Sequence, residues 1–276
     1  MISVNNPWNT NRITWGDPFA DGDKEVFAKM GYMLCTGKEK KFDKLMNCED
    51  LESRVSKEKL DKIYWDCCLE KYKKSAGGVG LDFYTLPEPY TGDINSPVYC
   101  LNMNPGEADG LFINDPIYWV LTLLTLDHTL PYSFWINAPF NKYKLYDCKT
   151  GMNRVHNGCN WQVQKLKDLY DNGKPPKLFI LEYFPYHSKD GFKFPSWLPS
   201  YAYTNELIEK AMDKGKFIVI MRQRERWFKR IPRLEHYTPL AFLSNPQNAT
   251  LSNGSVVYRM NAFNDLVAAL KTENNH

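Results

Sequence analysis

Four short apolar runs, each stopped by Pro, Asn or Gly and most followed by a helical pattern, constrain this chain more than any other feature. They are Val98 to Met103, Leu178 to Phe184, Lys216 to Met221 and Thr238 to Leu243. Near-continuous apolar character over so few residues reads as strands covered on both faces. Between the second and third runs, Tyr203 to Lys214 sets Leu207, Ile208 and Met212 at helical spacing, and Gly215 supplies the stop. After the fourth, Ser252 to Lys271 aligns Val256, Met260, Phe263, Val267 and Leu270 on one side, which predicts a closing amphipathic helix. Strands alternating with helices predict an α/β fold built on a mainly parallel sheet. The stretch from Pro105 to Leu178 exceeds a simple crossover and is expected to hold one or two helices, including Trp161 to Leu169.

Residues 1–95 have a different texture. Phe27, Met30 and Leu34 repeat at helical spacing, as do Leu60, Ile63, Tyr64 and Cys67, and no strand pattern stands out. No linker composition separates this part from the rest, so the expectation is a single domain over 1–276, with 1–95 a helical N-terminal extension and 96–276 the α/β core. With 43% hydrophobic and 24% charged residues, the chain is neither disordered, collagenous nor coiled coil. Its longest apolar runs, such as Trp119 to Leu126, fall short of the roughly 18 residues of a membrane span. The polar, Asn-rich stretch from Met1 to Pro18 lacks the layout of a secretory signal, which gives cytoplasm as the expected compartment. Seven cysteines without a CxxC pair suit reduced thiols.

The formal charge of +3 is too small for a protein that coats polyanions generally, so any such affinity is local. The most lopsided run is Arg222 to Arg233, where Arg222, Arg224, Arg226, Lys229, Arg230 and Arg233 face only Glu225. It reads either as a solvated helix face or as a phosphate-contacting surface. Several standard sites are absent. No GxxxxGK[ST] follows a strand, and Gly77-Gly78-Val79-Gly80 lacks dinucleotide-binding spacing. There is no HExxH, the His residues are scattered, and Cys67-Cys68 has no partner pair, so neither metal nor cofactor is expected. Without a GxSxG elbow, acyl transfer has no support.

Ligands of open α/β sheets gather at the carboxyl ends of the strands, which directs attention to the loops following the four runs. There the segment VYCLNMNPGEADG, residues 98–110, resembles the first motif of the uracil-DNA glycosylase superfamily, in the Met-Asn-Pro-Gly form of its single-strand-selective branch and the Asn-Pro-Gly form of its mismatch-specific branch. SNPQNATLSNG, residues 244–254, is similar to that superfamily's His-Pro-Ser loop with trailing Asn-Pro residues. LFILEYFPYHSKDG, residues 178–191, occupies the place of its base-reading strand. The resemblance covers 96–272 in the right order and leaves 1–95 unmatched.

It implies a three-layer α/β/α sandwich with a mainly parallel four-stranded central sheet, acting on DNA by flipping a base and hydrolysing its N-glycosidic bond. On that reading Asn104 holds the attacking water, Met103 to Gly106 lines the cleft and Phe112 stacks on the base. Ser244, Asn245 and Asn248 grip the strand, with Arg222 and Arg224 as further DNA contacts. Glu182 stands where the superfamily has its base-reading Asn; an ionised carboxylate only accepts, which suits cytosine or adenine amino groups better than uracil. Phe242 or Leu243 stands in place of the His, and His187 is the residue able to compensate. Two other readings stay open: a protein of this fold that binds a nucleic acid, a modified nucleotide or a partner protein without cleaving, and a hydrolase of free nucleosides.

Overall fold

The computed structural model describes residues 5–8, 10–14, 17–27, 81–82, 85–106, 116–129, 165–171, 176–188, 197–257 and 261–271. The expected helices around Met30 to Leu34 and Leu60 to Cys67 lie outside these residues, as do Phe112 and every cysteine but Cys100. The chain forms two compact units. The first comprises Met1–Pro87, Pro105–Ala108 and Tyr186–Tyr203, and the second Glu88–Asn104, Asp109–Pro185 and Thr204–His276.

Among the described residues, the second unit holds one six-stranded sheet. In chain order its strands are β2 (Tyr90–Gly92), β3 (Val98–Asn102), β4 (Leu178–Glu182), β6 (Phe217–Ile220), β7 (Leu240–Leu243) and β8 (Val256–Val257). They lie side by side as β2-β4-β3-β6-β7-β8. The inner four are mutually parallel, and β2 and β8 pair antiparallel at the edges. The protein is therefore α/β, but its sheet is mixed and six-stranded rather than four-stranded. The added edges are too short to show a period of two: β8 spans two residues and β2 three, ending on Gly92 at φ +103°. Strand β2 also falls within 1–95, where no strand is expected from the sequence.

Alternation along the strands sorts the core. Val98, Cys100, Leu178, Ile180, Val219 and Ala241 pack on one face, together with Leu166, Leu169 and helix residues Ala262 and Leu266. On the other face Phe179 meets Tyr90 and Tyr99 at ring separations of 5.6 and 4.9 Å. The Tyr90 hydroxyl donates to the Leu126 carbonyl at the end of helix α1 (Pro116–Leu126). His128 stacks on Tyr90 at 4.3 Å, and burial pulls its imidazole down to about 4, so it is neutral near pH 7. Cys100 is fully buried, and desolvation pushes its thiol up to about 12, which leaves it inert.

The remaining helices are α2 (Pro199–Asp213), α3 (Arg224–Arg230) and α4 (Ala262–Lys271). Helix α2 ends at Gly215 with φ +67°, as its sequence predicts. Helix α4 starts later than Ser252, because Ser255 Oγ accepts from the Ser252 amide and donates to the Thr250 carbonyl, tying 250–255 into a turn that feeds the β-branched pair of β8. Of the expected Trp161 to Leu169 helix, the described part is one short turn that tightens to 3-10 geometry at Lys167–Leu169.

In the first unit, β1 (Leu81–Asp82) pairs antiparallel with β5 (His187–Ser188). Its core gathers Trp8, Phe19 and Phe27 around Tyr186 at ring separations of 5.9, 5.7 and 5.1 Å. Beside them is the buried carboxyl of Asp23. Its Oδ2 accepts from the Tyr186 hydroxyl at 2.8 Å and Ser200 Oγ at 2.7 Å, and its Oδ1 accepts from the Ser200 amide at 3.0 Å, in the first turn of α2. The carboxyl thus satisfies an amide that the helix itself leaves open. Burial outweighs the hydrogen bonds from Ser200 and Tyr186, with Glu25 adding repulsion, and raises Asp23 to about 6 from 3.8. A carboxyl that holds its proton more tightly folded than unfolded contributes stability that is complete below 3.8 and lost as pH rises through about 6. The loss is about 3 kcal/mol. Urea unfolding of the wild type and of Asp23→Asn between about pH 3.5 and pH 7 should show the wild type losing that much relative to the variant; a difference independent of pH would refute the linkage.

Candidate functional site

The parallel strands of the second unit end on one edge of the sheet, and in the order β4-β3-β6-β7 the strand that follows β3 in the chain lies on one side and the strand that follows β6 on the other. In open α/β sheets, ligands gather at the carboxyl ends of the strands where the strand order reverses in this way. Two polar side chains close the strands there. Asn102 is the last residue of β3, Glu182 is the last of β4, and the two are direct register partners. Both follow four apolar residues, in VYCLN and LFILE, so alternation turns both toward the same sheet face.

Asn102 Nδ2 donates to Glu182 Oε1 at 3.0 Å, and Glu182 is only 8% exposed. Since a carboxylate must receive a donor, this bond fixes the amide orientation and turns Oδ1 away. Asn102 Oδ1 is buried and has no hydrogen-bond partner among the described residues. The Asn102 carbonyl is held from two sides, by the Tyr183 amide at 3.2 Å and by Trp227 Nε1 at 3.2 Å. Trp227 is fully buried in α3 and meets Tyr183 edge-on at 5.1 Å. Arg230, one turn further, lays its guanidinium 3.2 Å from the Tyr183 ring centre and donates to the Tyr183 carbonyl at 2.8 Å. Indole, phenol and guanidinium thus brace the backbone that carries the amide-carboxylate pair.

Sequence reasoning passed over Asn102. The signal for it was present, since two predicted strands each carry one polar residue after four apolar ones, and parallel pairing sets such positions side by side. Glu182 does stand at a strand end. Met103 is buried and Asn104 half-buried directly after β3. Gly106 and His187 fall in the first unit, where the structure brings them together: His187 Nδ1 lies 3.0 Å from the Gly106 carbonyl, which also accepts from the Ser188 amide at 3.1 Å. A carbonyl only accepts, so the proton sits on Nδ1. The φ of +82° at Gly106 favours glycine at this turn.

After β7, Ser244 to Asn248 form an exposed turn that supports itself. Asn245 Oδ1 accepts from the amides of Gln247 and Asn248 at 3.1 and 3.4 Å, and Asn248 Oδ1 accepts from Lys165 Nζ and from Thr250 Oγ1.

The basic run divides into separate tasks. Arg230 is spent on Tyr183, and Arg233 on Glu209 at 2.9 Å and Asp213 at 2.7 Å. Arg224 lies 4.5 Å from the Phe242 ring centre and pairs with Glu225 at 3.0 Å. Arg222, the second residue beyond β6, keeps a buried Nε with no partner among the described residues. No group of three His, Cys, Asp or Glu among the described residues could hold a metal ion. No helix among them is long and apolar enough to cross a membrane.

Comparisons with protein-family models, with curated proteins and with solved structures find no match.

The central claim about this site is that Asn102 and Glu182 act as a unit. A double-mutant cycle of Asn102→Ala and Glu182→Ala, read by urea unfolding, should give a coupling energy of about 2 kcal/mol, the range of a hydrogen bond to a charged group. Additive effects would mean the bond contributes nothing.

Proposed function

We propose that this chain is a uracil-DNA glycosylase-like protein, a three-layer α/β/α sandwich around its parallel strands, that acts in the cytoplasm on a nucleobase of DNA. The observation that carries this reading is the convergence of three loops on one sheet edge: Met103-Asn104 after β3, Glu182-Tyr183 after β4, and Ser244 to Asn248 after β7. Their order along the chain and their attachment to parallel strands suit the resemblance of the motifs. In this reading the amide of Asn104 orients a water toward C1′ of a flipped nucleotide. The water oxygen bonds to C1′ as the N-glycosidic bond breaks, the base leaves with the bonding pair, and the proton shed by the water ends on the base. The exposed turn Ser244 to Asn248, with Arg222 and Arg224, receives the phosphates.

A specific observation favours the second reading, binding without cleavage. The position expected to stabilise the departing base is Phe242, whose ring lies under Arg224, and a carboxylate at Glu182 repels an anionic leaving base.

Abasic-site formation on single- and double-stranded oligonucleotides carrying uracil, hypoxanthine or a mismatched thymine tests the proposal, with Asn104→Ala as control. Base release that falls about a hundredfold or more in the variant is expected. Release unaffected by the substitution refutes the role of Asn104, and tight binding without release selects the second reading.

A further inference from the structure

The loop from Ser244 to Ser255 joins β7 to β8 and carries three exposed asparagines in different surroundings. Its base is closed by the Ser244 amide, which donates to the Ser255 carbonyl at 2.9 Å. Asn245 precedes Pro246, which has no N-H, and its Oδ1 accepts from the amides of Gln247 and Asn248. Asn248 precedes the fully buried Ala249, and its Oδ1 accepts from Lys165 Nζ and Thr250 Oγ1. Asn253 differs on each count. It precedes Gly254, and both residues are exposed. Among the described residues, neither the Asn253 side chain nor the Gly254 amide makes a hydrogen bond. The turn is held by their neighbours instead: the Ser252 carbonyl accepts from the amides of Ser255 and Val256 at 3.1 and 3.2 Å, and from Ser255 Oγ at 3.0 Å. Gly254 adopts φ +90° with open space where a Cβ would stand, so nothing crowds its amide nitrogen.

We propose that Asn253 is a self-modifying site, which deamidates by attack of the Gly254 amide nitrogen on Asn253 Cγ. The new N-Cγ bond closes a succinimide ring as the Cγ-Nδ2 bond breaks, and Nδ2 leaves as ammonia with the proton from the Gly254 N-H. Water then adds to one of the two ring carbonyls, the ring C-N bond opens there, and the nitrogen recovers a proton. Opening at Cγ gives aspartate, whereas opening at the main-chain carbonyl gives isoaspartate. Water enters and ammonia leaves, and nothing is oxidised or reduced. Either product lowers the formal charge of +3 by one. Isoaspartate also adds a main-chain carbon inside the turn from Ser252 to Ser255. The reaction is independent of what the loop binds.

The experiment incubates the full chain, folded and in urea, at about pH 8, where the attacking nitrogen sheds its proton more readily. The tryptic peptide from Leu234 to Arg259 holds all three asparagines, and its fragment masses locate the exchange of NH2 for OH. Asn253 is expected to convert in the folded chain within about tenfold of its rate in urea, because an exposed turn opens at little cost. Asn245 and Asn248 are expected to stay intact there. Asn253→Gln should abolish the conversion, since the longer side chain closes a larger ring less readily. Conversion of Asn253 in urea but not in the folded chain overturns the proposal, because the turn then protects it. Conversion of Asn248 as fast as Asn253 in the folded chain, or of neither in either state, overturns it too. The wild-type chain decides the matter even if the variant does not fold.

Discussion

The backbone carbonyl of Asn102 is the point on which the second unit turns. Leaving a backbone carbonyl bare in a dry interior costs about 1–3 kcal/mol. Here the Tyr183 amide and the Trp227 indole both donate to it. Meeting that need places α3 against the strand ends. It also seats Tyr183 between Trp227 and Arg230, and it holds the Asn102 side chain where Glu182 can accept from it. Helix α3 has seven residues, too few to persist without tertiary support, and the buried indole supplies that support. The polar pair at the strand ends is therefore positioned by an aromatic residue whose own role is structural.

The inner sheet was legible because its strands are almost wholly apolar, and hydrophobicity is what a sequence displays most directly. The expected runs for β3, β4, β6 and β7 all contain the observed strands, each trimmed by one or two residues at one or both ends. The edges were not legible. Val256–Val257 looks like part of a helical stripe until the hydroxyls of Ser252 and Ser255 are seen to fold the preceding residues into a turn. Such local side-chain competition for the backbone leaves no periodic trace. At the site, Glu182 was found through the resemblance, whereas Asn102 required the register, a relation between segments about 80 residues apart. Gly106 was expected to line the cleft beside Asn104, and His187 to approach it; both lie in the first unit, where His187 Nδ1 meets the Gly106 carbonyl.

The basic run shows how a charge count misleads. Six cations against one anion in twelve positions suggests a polyanion surface, yet the cations have different environments. Arg233 belongs to a surface cluster with Glu209 and Asp213, the kind of exposed pairing that contributes little to stability. Arg230 is a packing residue as much as a charge, since its planar guanidinium stacks on Tyr183 in a way an ammonium cannot match.

The cap on α2 has a consequence for the order of folding. Asp23 and Ser200 are 177 residues apart, and Tyr186 is 163 residues from Asp23. During synthesis, the aromatic cluster around Trp8, Phe19 and Phe27 waits for Tyr186, and the carboxyl waits longer still for the helix end it caps. The segment around Asp23 thus emerges well before its partners, whereas strands β3 and β4 already have each other once residue 182 has emerged. Vectorial synthesis leaves Asp23 waiting 177 residues for Ser200, about twice the 80 residues that separate Asn102 from Glu182.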